Sequence, residues 1–305
     1  MDTTATAVML VLCAVWALQQ VSLKAVAPHA NPMLVVALRS VVALGLLAVL
    51  MRQRGEALFT TRWRPGLLAG ALFGLEYLLV TEALRWTSAS HVVVFLYTAP
   101  LFAAMGLHLG LPAERLGRRQ VVGMVAAFLG TALAFGGAPG ATPPGQGHAW
   151  WGDGLALLAG VAWGATTVTL RCTRLAAAPA TETLLYQLAG ATVLPTLGTA
   201  LTGNWWFDNT PVVWAHVGFQ ALVVSFASFL VWCWLLRRYL ASRLGVLSFL
   251  TPVLGVLLGL GLLDEQVTPG FASGAACVLA GVVLVSWAPV RAPSKPTRAI
   301  GDQGP

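Results

Sequence analysis

The sequence predicts an all-α polytopic membrane protein, with ten transmembrane helices arranged as two inverted five-helix repeats. Three observations predict it. The 305 residues are 57% hydrophobic and only 10% charged, against about 25% charged in soluble domains. Apolar runs of spanning length, roughly 20 residues each, follow one another along the chain. Finally, ALRWTSASHVVVFLYTAP (Ala83–Pro100) recurs as LLRRYLASRLGVLSFLTP (Leu235–Pro252), and Ala89, Ser90 and Pro100 match Ala241, Ser242 and Pro252 at one constant offset. If each unit crosses the bilayer an odd number of times, its second copy lies upside down. Such inverted repeats are the signature of secondary transporters, with the site at the midplane between the copies.

The first run, 6–23, carries Trp16 in Ala14-Val-Trp16, echoed by Val161-Ala-Trp163 in the sixth run. Ala25-Val-Ala27 resembles a signal-peptidase site. However, the preceding MDTTAT lacks the Lys or Arg of a signal peptide, Pro28 follows, and the run has a mate, so it stays a helix. The second run, 33–50, contains Arg39, and the third, 66–84, contains Glu76 and Tyr77 behind Gly66, Gly70 and Gly74. The fourth, 91–110, opens on His91 and contains Tyr97 and Pro100. The fifth, 120–136, is short and completes a first repeat over 6–136.

An external linker over 137–153 follows, and its stretch from Gly136 to His148 is Gly/Pro-rich and uncharged. The second repeat, 154–287, comprises runs 154–170, 183–201, 214–234, 245–261 and 270–287. They carry Gly160/Gly164, Gln187, Pro252, Gly255/Gly259 and Gly270/Gly274. The tail 288–305, with Pro289, Pro293 and Pro296, is expected to be a disordered cytoplasmic end.

Glycines at four-residue spacing put smooth stripes on helix faces and let backbones approach closely. Helix sliding is the alternative use of such stripes. Pro100 and Pro252, matched and mid-span, are candidate hinges, because proline removes a helix hydrogen bond. Fixed kinks fit them equally well.

The net charge of +7 is a topology signal rather than a nucleic-acid footprint. With the N-terminus cytoplasmic, Arg52, Arg54, Arg62, Arg64, Arg115, Arg118, Arg119, Arg171 and Arg174 fall inside. So do Arg237, Arg238, Arg243, Arg291, Lys295 and Arg298, whereas only Lys24 and Arg85 fall outside. That is a strong positive-inside bias with both termini cytoplasmic. Trp150, Trp151, Trp205, Trp206 and Trp214 mark the outer boundary. The preponderance of Arg over Lys points to a bacterial inner membrane. Cys13, Cys172, Cys233 and Cys277 have no CxxC or Cys/His spacing, so no metal, cofactor or structural disulfide is expected.

One longer pattern is specific. Ala83-Leu84, Ser88-Ala89-Ser90, Pro100, Glu114, Gly123 and Gly130 recur as Leu235-Leu236, Ala241-Ser242, Pro252, Glu265, Gly274 and Gly281. This doubled pattern, over about residues 7 to 287, resembles the EamA domain of the drug/metabolite transporter superfamily. The resemblance implies ten helices with both termini cytoplasmic and a central cavity lined by the first four helices of each half. It also implies export of amino acids or other small metabolites, with proton dependence in many members. Arg243 stands where the first half has His91, so the halves need not contribute equally.

Ionisable groups inside a bilayer mark function. At about 1.5 Å rise per residue, Glu76 lies about 12 Å and Arg39 about 9 Å from the outer surface. Together they can hold the ammonium and carboxylate of a zwitterion, or Glu76 can carry a coupling proton. A purely structural salt bridge is the alternative. The inverted equivalents, Gln187 and Ser228, are uncharged. His91 suits a proton shuttle or a polar anchor. Tyr77, Tyr97, Trp16 and Trp163 offer aromatic walls with polar tips, or simply packing. Glu114 and Glu265 are expected to cap the helices that follow them.

No HExxH, GxSxG or Asp-rich motif supports an intramembrane enzyme, and no P-loop supports a self-contained ATP-driven pump. A sugar-nucleotide carrier calls for more cavity cations than Arg39. The expected partners are the lipid bilayer, a small-molecule substrate and a coupling proton, with no nucleic acid. A membrane scaffold or receptor is the competing class, which solute flux in liposomes distinguishes.

Overall fold

The computed structural model describes residues 3–58, 62–111, 117–135, 149–238, 248 and 250–286. Among these, regular structure is helical, apart from one isolated bridge between Ala30 and Phe207. Helix α1 is Thr3–Val26, α2 is Pro32–Gln53 and α3 is Trp63–Trp86. The fourth run is broken into α4, Ala89–Leu96, and α5, Ala99–Gly110. Helix α6 is Arg118–Phe135, α7 is Ala149–Cys172 and α8 is Ala180–Thr202. The eighth run is composite: α9 (Pro211–Gly218), a π-helical segment Phe219–Ser228, then α10 (Phe229–Arg238). Helix α11 is Leu250–Leu263 and α12 is Pro269–Ser286.

By length and composition, seven of these units can cross a membrane: α1, α2, α3, α4–α5 together, α7, α8, and α9 running through the π segment. Three shorter apolar helices, Val121–Gly130, Leu250–Leu263 and Pro269–Gly281, occupy the fifth, ninth and tenth positions. Among the described residues, seven of the ten expected spans thus meet the length requirement. Arg118 and Arg119 at the start of α6 shorten its apolar stretch.

Local chemistry sets several helix ends. The Asn31 side chain accepts from Met33 N ahead of α2, with Pro32 in the first turn. Ser88 accepts from His91 N ahead of α4, and Thr210 from Val213 N ahead of α9. Gly203, in the left-handed region at φ 66°, ends α8. Within the spans, Thr81, Thr166, Thr169, Thr192, Thr196 and Thr199 each donate to the carbonyl four residues back. Hydroxyls that bond their own helix need no water, which suits a lipid surround.

The distribution of side chains is that of a protein in a membrane. Leu67, Leu109, Val122, Leu129 and Leu201 are exposed, while Arg39, Glu76, Gln19, Gln20 and Gln220 are buried. A water-facing surface would reverse that pattern.

The repeats are interwoven rather than side by side. Helix α3 packs on α7 and α8, α2 on α8, α4 and α5 on α7, α1 on α11, and α6 on α12. Glycine permits the tightest of these crossings. A Cβ on Gly190 would collide with the Gly70 carbonyl, and one on Gly70 with the Tyr186 carbonyl. Gly160 and Gly164 of α7 face Phe95, Leu96, Thr98, Ala99, Phe102 and Ala103, where the fourth run breaks.

The direction of the helices is opposite in the two halves. Helix α3 ends where Lys24 Nζ donates to the carbonyls of Leu84 and Thr87. Its counterpart begins at Pro211, just after the connection in which Asn31 bonds Asn204 and Trp206. The opposite end of the molecule is basic. There Arg62 forks onto the buried Glu182 carboxylate at 2.9–3.2 Å, and this bond raises the guanidinium above its ordinary value. Thr181 bonds Glu56 beside it.

Candidate functional site

The polar residues of the interior converge where α1, α2, α3 and the π segment meet. Arg39 is 1% exposed, and its Nη1 donates to Gln220 Oε1 at 2.5 Å. Its guanidinium carbon lies 4.3 Å over the Tyr77 ring centroid, a cation–π contact. Gln220, fully buried, donates through Nε2 to the Gln19 carbonyl at 2.9 Å. The Gln19 amide in turn donates to the Tyr77 hydroxyl at 3.3 Å. Four elements from both repeats thus close around one cation.

Glu76, 5% exposed, projects from the same turn of α3 as Tyr77. Among the described residues no ion pair joins Glu76 to Arg39, although the Arg39 charge acts on its carboxyl group. Among the described residues, the buried atoms Arg39 Nε, Glu76 Oε2, Ser40 Oγ, Gln20 Oε1 and Ser225 Oγ have no hydrogen-bond partner. Such atoms are costly to bury unless something fills the site.

Aromatic rings form the flanks. Tyr97 meets Trp163 edge-on at 5.2 Å and lies within electrostatic reach of Glu76 and Tyr77. Trp16 meets Trp232 edge-on at 5.3 Å and donates from Nε1 to Ser228 Oγ. Gln187 is half-buried on α8, and no hydrogen bond ties it to the cluster among the described residues. Two open grooves at the Lys24 end, with Met33, Arg85 and Thr202 common to both, are lined by none of the cluster. The side chains of the cluster are buried.

His91 belongs to a second group. Its Nδ1 lies 3.0 Å from both carboxylate oxygens of Asp153, its ring stacks on Phe271 at 3.8 Å, and Asp153 also accepts from Thr87 Oγ1. Beside it, Glu265 accepts from Ala89 N, Ser90 N and Ser90 Oγ at 2.5–3.0 Å. The expectation that Glu265 caps its following helix is corrected: it caps α4, in the other repeat. Its mate Glu114 lies outside the described residues.

Pro100 sits in the first turn of α5, not inside a continuous helix. It has no N–H for the Leu96 carbonyl, and α4 ends at Leu96. Pro252 lies in the first turn of α11, and most of the residues preceding that helix lie outside those described.

The family model of the EamA-like transporter family matches residues 3–136 and 150–287, two copies covering nearly the whole chain. The chain belongs to the EamA-like transporter family. It is 23% identical over 280 residues to "Uncharacterized transporter YoaV" of Bacillus subtilis (strain 168), covering 88% of this chain and 92% of that relative. To the "Probable amino-acid metabolite efflux pump" of Salmonella typhimurium it is 25% identical over 285 residues, covering 90% and 92%. A solved crystal structure shares the fold at a TM-score of 0.63 and 23% identity, covering 93% of this chain and 96% of that one. This EamA transporter is thus an integral membrane protein of two repeats.

Gln19, Gln220 and Asp153 were not foreseen from sequence. Gln220 is an amide inside an apolar run and carries no charge to flag it. Asp153 sits at the edge of the linker assignment, one residue before the sixth run.

Proposed function

We propose that this EamA transporter is a secondary carrier exporting a small zwitterionic metabolite of the amino-acid class. It would do so by alternating access between two inverted five-helix repeats, ten spans in all, in a bacterial inner membrane with both termini cytoplasmic. One observation carries the reading. A buried guanidinium, Arg39, and a buried carboxyl group, Glu76, share one cluster between the repeats, and among the described residues no ion pair joins them. Unpaired buried charges call for a counter-charge. A zwitterion supplies both signs at once, its carboxylate to Arg39 and its ammonium to Glu76. In the empty carrier a proton on Glu76 does the same for the anion, and exchange of that proton for the ammonium couples the two fluxes.

Further support comes from the unequal packing of symmetry-related interfaces. Helix α3 packs closely on α7 and is locked to α8 through glycines, whereas the composite α9–α10 unit meets α1 and α2 more lightly. A carrier caught on one side of its cycle has this asymmetry, and exchanging the two arrangements opens the other side. The name of the Salmonella relative agrees with the substrate class. Pro100, beside the break between α4 and α5, and its mate Pro252 are the hinges of this reading, and His91 is a polar anchor near the outer mouth.

Purified protein in liposomes, assayed for efflux of labelled neutral amino acids and normalised to folded protein, tests it. Glu76→Gln keeps the shape but neither binds an ammonium as an anion nor exchanges a proton. It abolishes flux, and Arg39→Gln does likewise. Near-normal flux in Glu76→Gln, or full rescue by the double variant, would sink the reading and leave the pair a structural one.

A further inference from the structure

We infer that Gln220 is a specificity-determining residue, one that fixes which edge of the Arg39 guanidinium meets a substrate carboxylate. This rests on the reading of Arg39 as the carboxylate-binding group. A guanidinium offers a carboxylate two paired edges, end-on through Nη1 and Nη2 or side-on through Nε and Nη2. Gln220 Oε1 occupies Nη1, so the end-on edge is taken. The buried Nε has no hydrogen-bond partner, so the side-on edge is the one left unfilled at that atom. The Tyr77 ring under the guanidinium holds its plane, and the Tyr77 hydroxyl is itself tied to Gln19.

Gln220 is well built for this role. It is fully buried, and its other amide atom is anchored on the Gln19 carbonyl, so the side chain cannot turn away without breaking a second bond. It is also neutral. A carboxylate at this position would neutralise Arg39 from within and compete with the substrate, whereas an amide orients the cation and leaves its charge for the ligand. Gln220 lies at the second residue of the π segment, whose i→i+5 bonding sets its side chain to a register different from that of an α-helix.

The test measures binding of L-leucine, L-phenylalanine and their carboxamides to the full chain in lipid nanodiscs. The amides keep the ammonium and side chain but lose the carboxylate. The wild-type chain binds each acid more tightly than its amide. Gln220→Leu frees the guanidinium to rotate. Acid affinity then falls about tenfold or more, the loss of one charge-assisted hydrogen bond, while amide affinity stays put. Gln220→Glu keeps the bond to Arg39, though not the one to the Gln19 carbonyl, and gives the same selective loss by neutralisation.

Acid and amide weakening together in both variants shows a merely structural Gln220 and overturns the inference, as does unchanged acid affinity in both. Arg39→Gln separates this failure from failure of the underlying reading. If it abolishes the preference for acid over amide while the Gln220 variants retain it, only the Gln220 assignment falls. If Arg39→Gln keeps that preference, or the wild-type chain shows none, the amino-acid reading falls and the inference with it.

Discussion

Glu265 shows how much one side chain does at the scale of a residue. Its carboxylate satisfies two backbone amides and a hydroxyl at the start of α4, about 175 residues away in sequence. Asp264, at φ 50°, turns the chain beside it, and Glu265 N bonds the Gly259 carbonyl. Losing a capping carboxylate costs about 1–2 kcal/mol. Thermal melting in detergent should therefore rank Glu265→Ala as the least stable variant and Glu265→Gln as intermediate. Glu82→Ala, which removes only exposed bonds to Arg85 and Trp86 within α3, should sit close to wild type. Equal melting of Glu265→Ala and Glu82→Ala would show that the cap contributes nothing. Legibility at this scale follows charge. Arg39 and Glu76 stand out because ionisable groups are rare in apolar runs. Gln220 and Asp153 do not, because an amide has no such contrast and Asp153 borders a polar linker. The helix capped by Glu265 was misjudged because capping rules are local and this contact is not.

At the scale of elements, glycine placement sets how closely the repeats approach. The stripe Gly66, Gly70 and Gly74 meets Tyr186, Gly190 and Leu194 of α8, and the backbones all but touch at Gly70 and Gly190. Gly190→Ala places its methyl against the Gly70 carbonyl, which cannot yield as a flexible side chain would. Membrane-extracted, monodisperse protein should fall several-fold in Gly190→Ala. It should be unchanged in Gly45→Ala, where a Cβ meets nothing within 4 Å and alanine favours the helix by about 1 kcal/mol. Similar yields from the two variants would contradict tight α3–α8 packing. The stripes were legible from four-residue spacing alone. The π segment was not, since FQALVVSFAS has the composition of an ordinary apolar helix and its wider turn answers to its neighbours. The break after Leu96 was half legible: Pro100 announces a disturbance, but its effect falls four residues upstream.

For the whole molecule, the halves are alike in sequence and unlike in detail. The charged cluster belongs to α2 and α3, while the corresponding second-half positions hold Gln187 and Ser228, and Gln220 enters from elsewhere on the eighth run. Pseudo-symmetry was visible in the sequence because the matched motif survives in both copies. The unequal interfaces were not, because they depend on how the helices pack in three dimensions rather than on the matched motif. The proposed orientation follows from the Arg and Lys distribution alone. In a background lacking native cysteines, an impermeant thiol reagent applied to intact cells should label Gln146→Cys and spare Ser294→Cys. The reverse pattern would refute cytoplasmic termini.

The bond between Glu265 and the start of α4 also imposes an order on biogenesis. The ribosome delivers Ala89 and Ser90 to the membrane long before residue 265 exists. Throughout that interval the first repeat is a provisional structure whose fourth helix lacks its acceptor. Its maturation waits on the hairpin of α11 and α12, so a polypeptide ended before residue 265 presents membrane quality control with an unfinished helix end rather than half a carrier.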